Sequence, residues 1–140
     1  MQLQPRRLGL PDRHLPFAIV LGCSDARVPA EIVFDQGLGD LFVIRVAGNI
    51  VAPSQVGSVE FAASRFGTPL VVVLGHSRCG AIDATLEELQ RPAEKQSRNL
   101  QAIVDRVRPS VEPLLATEAR NDLVALARTA IRANVTASVR

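Results

Sequence analysis

Three short, unbroken apolar runs constrain this 140-residue chain more than any other feature. They are Phe17-Ala18-Ile19-Val20-Leu21, Leu41-Phe42-Val43-Ile44 and Leu70-Val71-Val72-Val73-Leu74. A strand with one wet face alternates apolar and polar residues, whereas a strand covered on both faces reads as a continuous run. All three are far shorter than the ~20 residues needed to cross a bilayer. They predict buried strands of a parallel sheet, the third being the most strongly β-branched. The segments between them carry helical signals. Residues 29–36 open with Pro29, suited to a helix N-terminus, and stop before Gly37. Residues 54–66 place Val56, Val59, Ala63 and Phe66 on one face, with Gly67 as the stop. Residues 81–90 read as a helix ended near Pro92, and beyond Ala93 only helical patterning remains, with amphipathic segments over 97–108 and 117–133. Alternating strand and helix implies right-handed crossovers. The expected fold is therefore α/β, a parallel-sheet core of three to four strands flanked by helices. Residues 1–16, rich in Pro, Arg and Leu without a period, read as an N-terminal arm. The whole of 1–140 reads as one domain, with 93–140 its helical C-terminal part.

Charge and composition exclude several classes. The net charge is +2, and the sixteen basic residues are scattered rather than gathered in one block, which gives no case for nucleic acid. Five Phe with no Tyr or Trp weaken base stacking and aromatic carbohydrate platforms. The first ten residues contain Arg6 and Arg7 but no apolar stretch fit for a secretion signal. A soluble cytoplasmic protein without a membrane partner is the expectation. In that compartment two cysteines point to metal binding or catalysis rather than to a disulfide.

Two motifs follow two of the runs. Cys23-Ser24-Asp25-Ala26-Arg27 comes directly after the first, and His76-Ser77-Arg78-Cys79-Gly80 after the third. Both fall at the carboxyl ends of expected parallel strands, where open α/β sheets place their ligands. Two thiolates and one imidazole form a soft-to-borderline set that favours Zn²⁺ over Mg²⁺ or Ca²⁺. Three protein ligands and an open fourth position is the catalytic pattern, whereas structural sites close with four. Two thiolates cancel the ion's formal charge, so a further group must favour and orient hydroxide. Asp25, held ionised by Arg27, suits that task. Taken singly, each residue has a plainer reading: a buried Cys is often an inert small hydrophobe, and Asp25 with Arg27 suits an ion pair that steadies the turn. Asp25 could also reach the metal itself and close the site.

At these residues the sequence resembles a β-class carbonic anhydrase. The similarity runs through residues 20–49, VLGCSDARVPAEIVFDQGLGDLFVIRVAGN, and 57–81, GSVEFAASRFGTPLVVVLGHSRCGA. It is strong over roughly residues 14–90 and weaker through 97–139. The resemblance implies one Zn²⁺ per chain, bound by Cys23, His76 and Cys79, with Asp25 and Arg27 as the catalytic dyad. It implies reversible hydration of carbon dioxide to bicarbonate and a proton by a zinc-activated hydroxide, in a homodimer or homotetramer. Phe42 and Phe61 match positions lining the apolar CO₂ pocket, although both also suit plain core roles. Gly80 matches a position whose backbone N–H meets substrate, though a glycine there also suits a tight turn.

This chain departs from the family pattern in places. His14 stands where the family often has a Gln that hydrogen-bonds substrate; a substrate or proton-transfer role for His14 is set against that of an exposed arm residue. The late C-terminal strand has no counterpart in the pattern, which raises the expectation of a truncated chain or a degenerate paralogue. Arg45 matches an arginine of the family's inhibitory bicarbonate site, but the Trp or Tyr partners are absent, so simple behaviour is expected, with Asp25 on Arg27 and the site open at neutral pH. One alternative is hydrolysis of CS₂ or COS on the same zinc; another, from a different class, is a non-catalytic zinc-binding paralogue. A redox protein fits poorly, since the cysteines form no Cys-x-x-Cys pair.

Overall fold

The computed structural model describes residues 14–91 and 97–139. Of the arm expected over 1–16, all but the last three residues lie outside the described part. Three strands, β1 (Ala18–Gly22), β2 (Leu41–Arg45) and β3 (Leu70–Leu74), form one parallel sheet in the order β2-β1-β3. The register aligns Gly22 with Arg45 on one side and with Leu74 on the other, so the three carboxyl ends sit side by side.

Only the central strand meets the expectation of burial on both faces. In β1, Ile19 and Leu21 pack with Ile44 and Ala62 on one side, while Ala18 and Val20 pack with Ala30 and Leu41 on the other. The β3 run is corrected by its position at the sheet edge, which leaves Leu70 49% and Val71 48% exposed. Its Val-rich sequence reflects strand preference rather than burial on both faces.

Every helix but the last starts within one residue of its expected start, whereas the stops are less regular. The first, α1, covers only Ala30–Val33, shorter than the expected 29–36. Ile32 and Val33 are exposed, so no buried apolar face rewards its extension, and Asp35 turns the backbone left-handed at φ 51°. The next, α2 (Pro53–Phe66), ends at Gly67 in the left-handed conformation, as its sequence predicts. Of its expected inward face, Val59 and Phe66 pack on the cluster of Ile19 and Leu21 beside fully buried Ala62, whereas Val56 and Ala63 are exposed. α3 spans Gly80–Gln90. α4 spans Arg98–Val111, starts at Ser97, whose Oγ accepts the Asn99 N–H at 3.3 Å, and buries Val104, Val107 and Val111. α5 spans Leu123–Val139, later than the expected 117–133, because residues 118–121 form a 3₁₀ turn. Asp122 then caps α5, its Oδ1 accepting the N–H groups of Val124 at 2.9 Å and Ala125 at 3.1 Å. No described helix is long and apolar enough to cross a membrane.

One core cluster joins α3, α4 and α5 through Ile82, Leu86, Val107, Val111, Leu126 and Ala130, and it contains both Cys23 and Cys79. The two cysteines are thus packed by the sheet ends on one side and by the C-terminal helices on the other.

Candidate metal centre

Strand order reverses at β1, since the chain runs from β1 to β2 on one flank and returns to β3 on the other. That reversal leaves a crevice at the carboxyl ends of β1 and β3. Cys23 leaves β1 directly after Gly22, and His76 leaves β3 two residues after Leu74, the register partner of Gly22. Cys79 then caps the start of α3, and its carbonyl accepts the N–H groups of Ile82 and Asp83 at 3.0 Å each. Residues far apart in sequence therefore meet because two neighbouring strands end level.

The ligand atoms of Cys23, His76 and Cys79 all lie within 4.8 Å of one another. Cys23 Sγ and Cys79 Sγ are 3.9 Å apart. Two sulfurs each about 2.3 Å from a tetrahedral zinc stand about 3.8 Å apart, so the pair already has the spacing of two ligands. His76 Nδ1 lies 2.9 Å from the Ser77 carbonyl, to which it donates, and that bond holds the ring with Nε2 as the atom left to meet a metal. That Nε2 is buried and makes no hydrogen bond; its nearest carboxylate oxygen, Asp25 Oδ2, is 4.0 Å away. A buried polar atom without a partner costs about 1–3 kcal/mol unless something binds it. Donor chemistry, spacing and the orphaned nitrogen all fit a zinc ion.

The two thiols differ electrostatically. Burial pushes the Cys23 thiol up, but the His76 ring and the N–H groups of Gly48 and Asp25 outweigh it and hold the thiol below its usual range. Burial dominates at Cys79, together with its proximity to Cys23, and raises that thiol. Cys23 is thus the readier thiolate of the two.

Asp25 and Arg27 form a tight turn in front of the thiols. Arg27 Nε and its second guanidinium nitrogen reach the two carboxylate oxygens at 2.9 and 2.7 Å, and the Arg27 backbone N–H adds a third bond at 2.9 Å. The Arg27 side chain, then its backbone N–H, hold the Asp25 carboxyl well below the usual carboxylate range. The same guanidinium donates to the Arg78 carbonyl at 2.8 Å and so ties the Asp25 turn to the His76–Cys79 loop. Arg45 donates to the carbonyls of Cys23 at 3.0 Å and Asp25 at 2.6 Å, and braces the first turn from below. Here Arg45 acts on backbone, a role its match to a bicarbonate-site arginine did not suggest.

The remaining candidates fall elsewhere. Gly80 opens α3 with no left-handed φ, and a Cβ there would meet nothing within 4 Å, so the tight turn does not require it. His14 stacks on Phe42 with ring centroids 5.9 Å apart and lies 4.9 Å from Phe66, and Phe61 meets both Phe42 and Phe66. Phe42 pairs with Ile19 in the sheet, four residues before Cys23, or about 13 Å along a strand. Within one chain these rings form their own aromatic cluster and do not join the thiols. The sequence reading omitted Gly48, whose N–H donates to Cys23 Sγ at 3.3 Å, and Asn134, which donates to the Gly48 carbonyl at 2.8 Å. The only sequence signal for either was the Gly48-Asn49 pair, a left-handed turn at φ 72° and 42°.

A family model described as carbonic anhydrase matches residues 18–140. The chain is 49% identical over 106 residues to a carbonic anhydrase of Mycolicibacterium smegmatis, covering 76% of this chain and 51% of that protein. It is 45% identical to carbonic anhydrase 2 of Mycobacterium tuberculosis, over 75% of this chain and 50% of that one. The chain thus spans about half the length of these relatives. Among solved structures it is similar to the β-carbonic anhydrase CafA of Aspergillus fumigatus, with a TM-score of 0.69 and 27% identity over 86% of this chain and 55% of that one. It is also similar to a tetrameric β-carbonic anhydrase of Sordaria macrospora, with a TM-score of 0.72 and 27% identity over 96% and 66%. With the level strand ends, the two motifs and these likenesses in agreement, the chain belongs to the β-class carbonic anhydrase family.

Proposed function

We propose that this chain builds a zinc-dependent centre for the reversible hydration of carbon dioxide to bicarbonate and a proton. The observation that carries the reading is the buried, unpartnered His76 Nε2 grouped with two sulfurs at ligand spacing, directly behind an ionised Asp25. Zinc held by Cys23, His76 and Cys79 would supply a Lewis acid that brings the pKa of a coordinated water toward neutrality. The protein's own part is positional. Arg27 keeps Asp25 charged, its backbone N–H and Nε both bonding Oδ1 and its second guanidinium nitrogen taking one lone pair of Oδ2, which leaves Oδ2 the oxygen free to accept a proton-bearing group in the crevice. While Arg27 grips both oxygens, Asp25 is held off the ligand set and would not itself complete the zinc ligands. The Arg78 carbonyl keeps the guanidinium in place, so the carboxylate is oriented rather than merely charged.

The reading extends to assembly as a homodimer or homotetramer. Phe17 and Phe61, about half exposed on a single chain, supply apolar surface for such contacts. Stopped-flow CO₂ hydration with metal analysis tests the function. The expected result is about one zinc per chain and turnover abolished by Cys23→Ser. Full zinc with no hydration above buffer would leave a zinc-binding protein and sink the enzymatic reading.

A further inference from the structure

We infer that Asn134, on the last helix, is a positioning residue for the Cys23 sulfur. It acts through Gly48, and the inference rests on the zinc reading given above. Gly48 is held at both of its polar atoms. Its N–H points to Cys23 Sγ at 3.3 Å, and its carbonyl accepts from Asn134 Nδ2 at 2.8 Å. Asn134 is 4% exposed, so that amide has no water to fall back on. Gly48 itself sits at φ 72°, where a side chain is strained, and a Cβ there would stand 3.1 Å from the Ala81 side chain. The turn therefore has one arrangement that satisfies its carbonyl and aims its N–H at sulfur.

An N–H donated to a thiolate stabilises the charged form and fixes the direction of the remaining lone pairs. Groups that orient a ligand in this way typically change metal affinity about 10- to 100-fold when removed. The same helix also presses on the second ligand loop: a Cβ at Gly75, next to His76, would collide with Val135. α5 thus bears on the surroundings of two ligands while contributing none. Nothing in the sequence of residues 123–139 marks this role, because Asn134 is one polar residue on a helix.

The test compares Asn134→Leu, similar in size but without a donor, with Val104→Ala, a core truncation on α4 of buried Val104. The cobalt-substituted proteins are read by their thiolate-to-cobalt charge-transfer band. The zinc-loaded proteins are read by the rate at which zinc passes to a colorimetric chelator. Asn134→Leu is expected to shift the band and speed zinc loss about tenfold or more. Val104→Ala, with a comparable fall in unfolding midpoint, is expected to leave both readings at the native value. A native band and native release rate in Asn134→Leu, or an equal change in Val104→Ala, would overturn the assignment. If Asn134→Leu does not fold, Asn134→Ala is read in its place against the same control. A native chain that takes up neither cobalt nor zinc overturns the metal reading itself, an outcome distinct from failure of the Asn134 role.

Discussion

Cys23 Sγ and Cys79 Sγ stand 3.9 Å apart although 56 residues separate them, and they hold this spacing with no disulfide between them. The spacing follows from the level ends of β1 and β3 and from the cap position of Cys79 on α3. Two buried thiols at that separation, one favoured as thiolate, make a site whose stability should depend on its metal.

Removing any ligand should therefore cost both metal and stability. Cys79→Ser and His76→Ala are each expected to lower zinc content from about one per chain to a small fraction. Zinc at about 1,000 times its dissociation constant stabilises a fold by about 4 kcal/mol. Chelation of the native protein should accordingly lower the unfolding midpoint by roughly 10 °C for a domain of this size. Calorimetry with and without chelator checks it, and coincident midpoints would contradict a bound ion.

Asp25→Asn keeps the shape of the turn but removes the charge that Arg27 holds. Zinc content should stay at the native level while kcat falls by about 10² or more, the usual scale for a proton-handling group. Arg27→Ala should act in the same direction by freeing Asp25 toward the ligand set. Metal analysis beside stopped-flow rates separates these variants from ligand loss.

The pH response has two parts with the same sign. Asp25 has a depressed carboxyl, so its contribution to stability is present above the ordinary carboxylate range near pH 4 and is lost as pH falls further. The carboxylate keeps part of its surface in water and its partner Arg27 is exposed, so that loss should be small. Metal binding needs both thiols deprotonated, and burial raises Cys79. Apparent zinc affinity should therefore rise with pH, approaching about 100-fold per unit well below both thiol pKa values. Competition titrations from pH 6 to 8 read it, and a flat profile would argue against two thiolate ligands.

Two glycines make opposite predictions. Gly57 lies inside α2 with open space around it, so Gly57→Ala should stabilise by about 0.5–1 kcal/mol. Gly75→Ala drives a Cβ into Val135 beside His76 and should cost about 1–3 kcal/mol and weaken zinc retention. Thermal melts of the two variants against native protein decide both.

The centre of the site was legible from sequence, because its chemistry sits in short motifs directly after apolar runs. Cys23, Asp25, Arg27, His76 and Cys79 needed only strands that end level, and the parallel pattern implied them. What lay beyond had no local signal. The exposure of β3 depends on which strand is central, and a run of valines does not say. The shortness of α1 depends on Ile32 and Val33 finding nothing to pack against. His14, Phe42 and Phe61 were expected beside substrate, each from a separate position in the family pattern; their packing against one another had no local signal, and strand register sets Phe42 four residues back from the thiol end of the sheet. Asn134 reaches Gly48 across 86 residues, a distance at which single-sequence patterning has no purchase.

That last contact also sets an order of assembly. The strands carrying Cys23 and His76 close through shorter loops, and loop-closure entropy favours those contacts first. The bond from Asn134 to Gly48 spans 86 residues and is among the longest closures in the molecule. Chain elongation delivers the sheet well before it delivers α5, so a partly synthesised chain holds its thiols without the turn that orients one of them. Metal retained tightly should then mark the finished fold, and pulse-labelled exchange at the Gly48 amide should show protection arriving with the docking of the last helix.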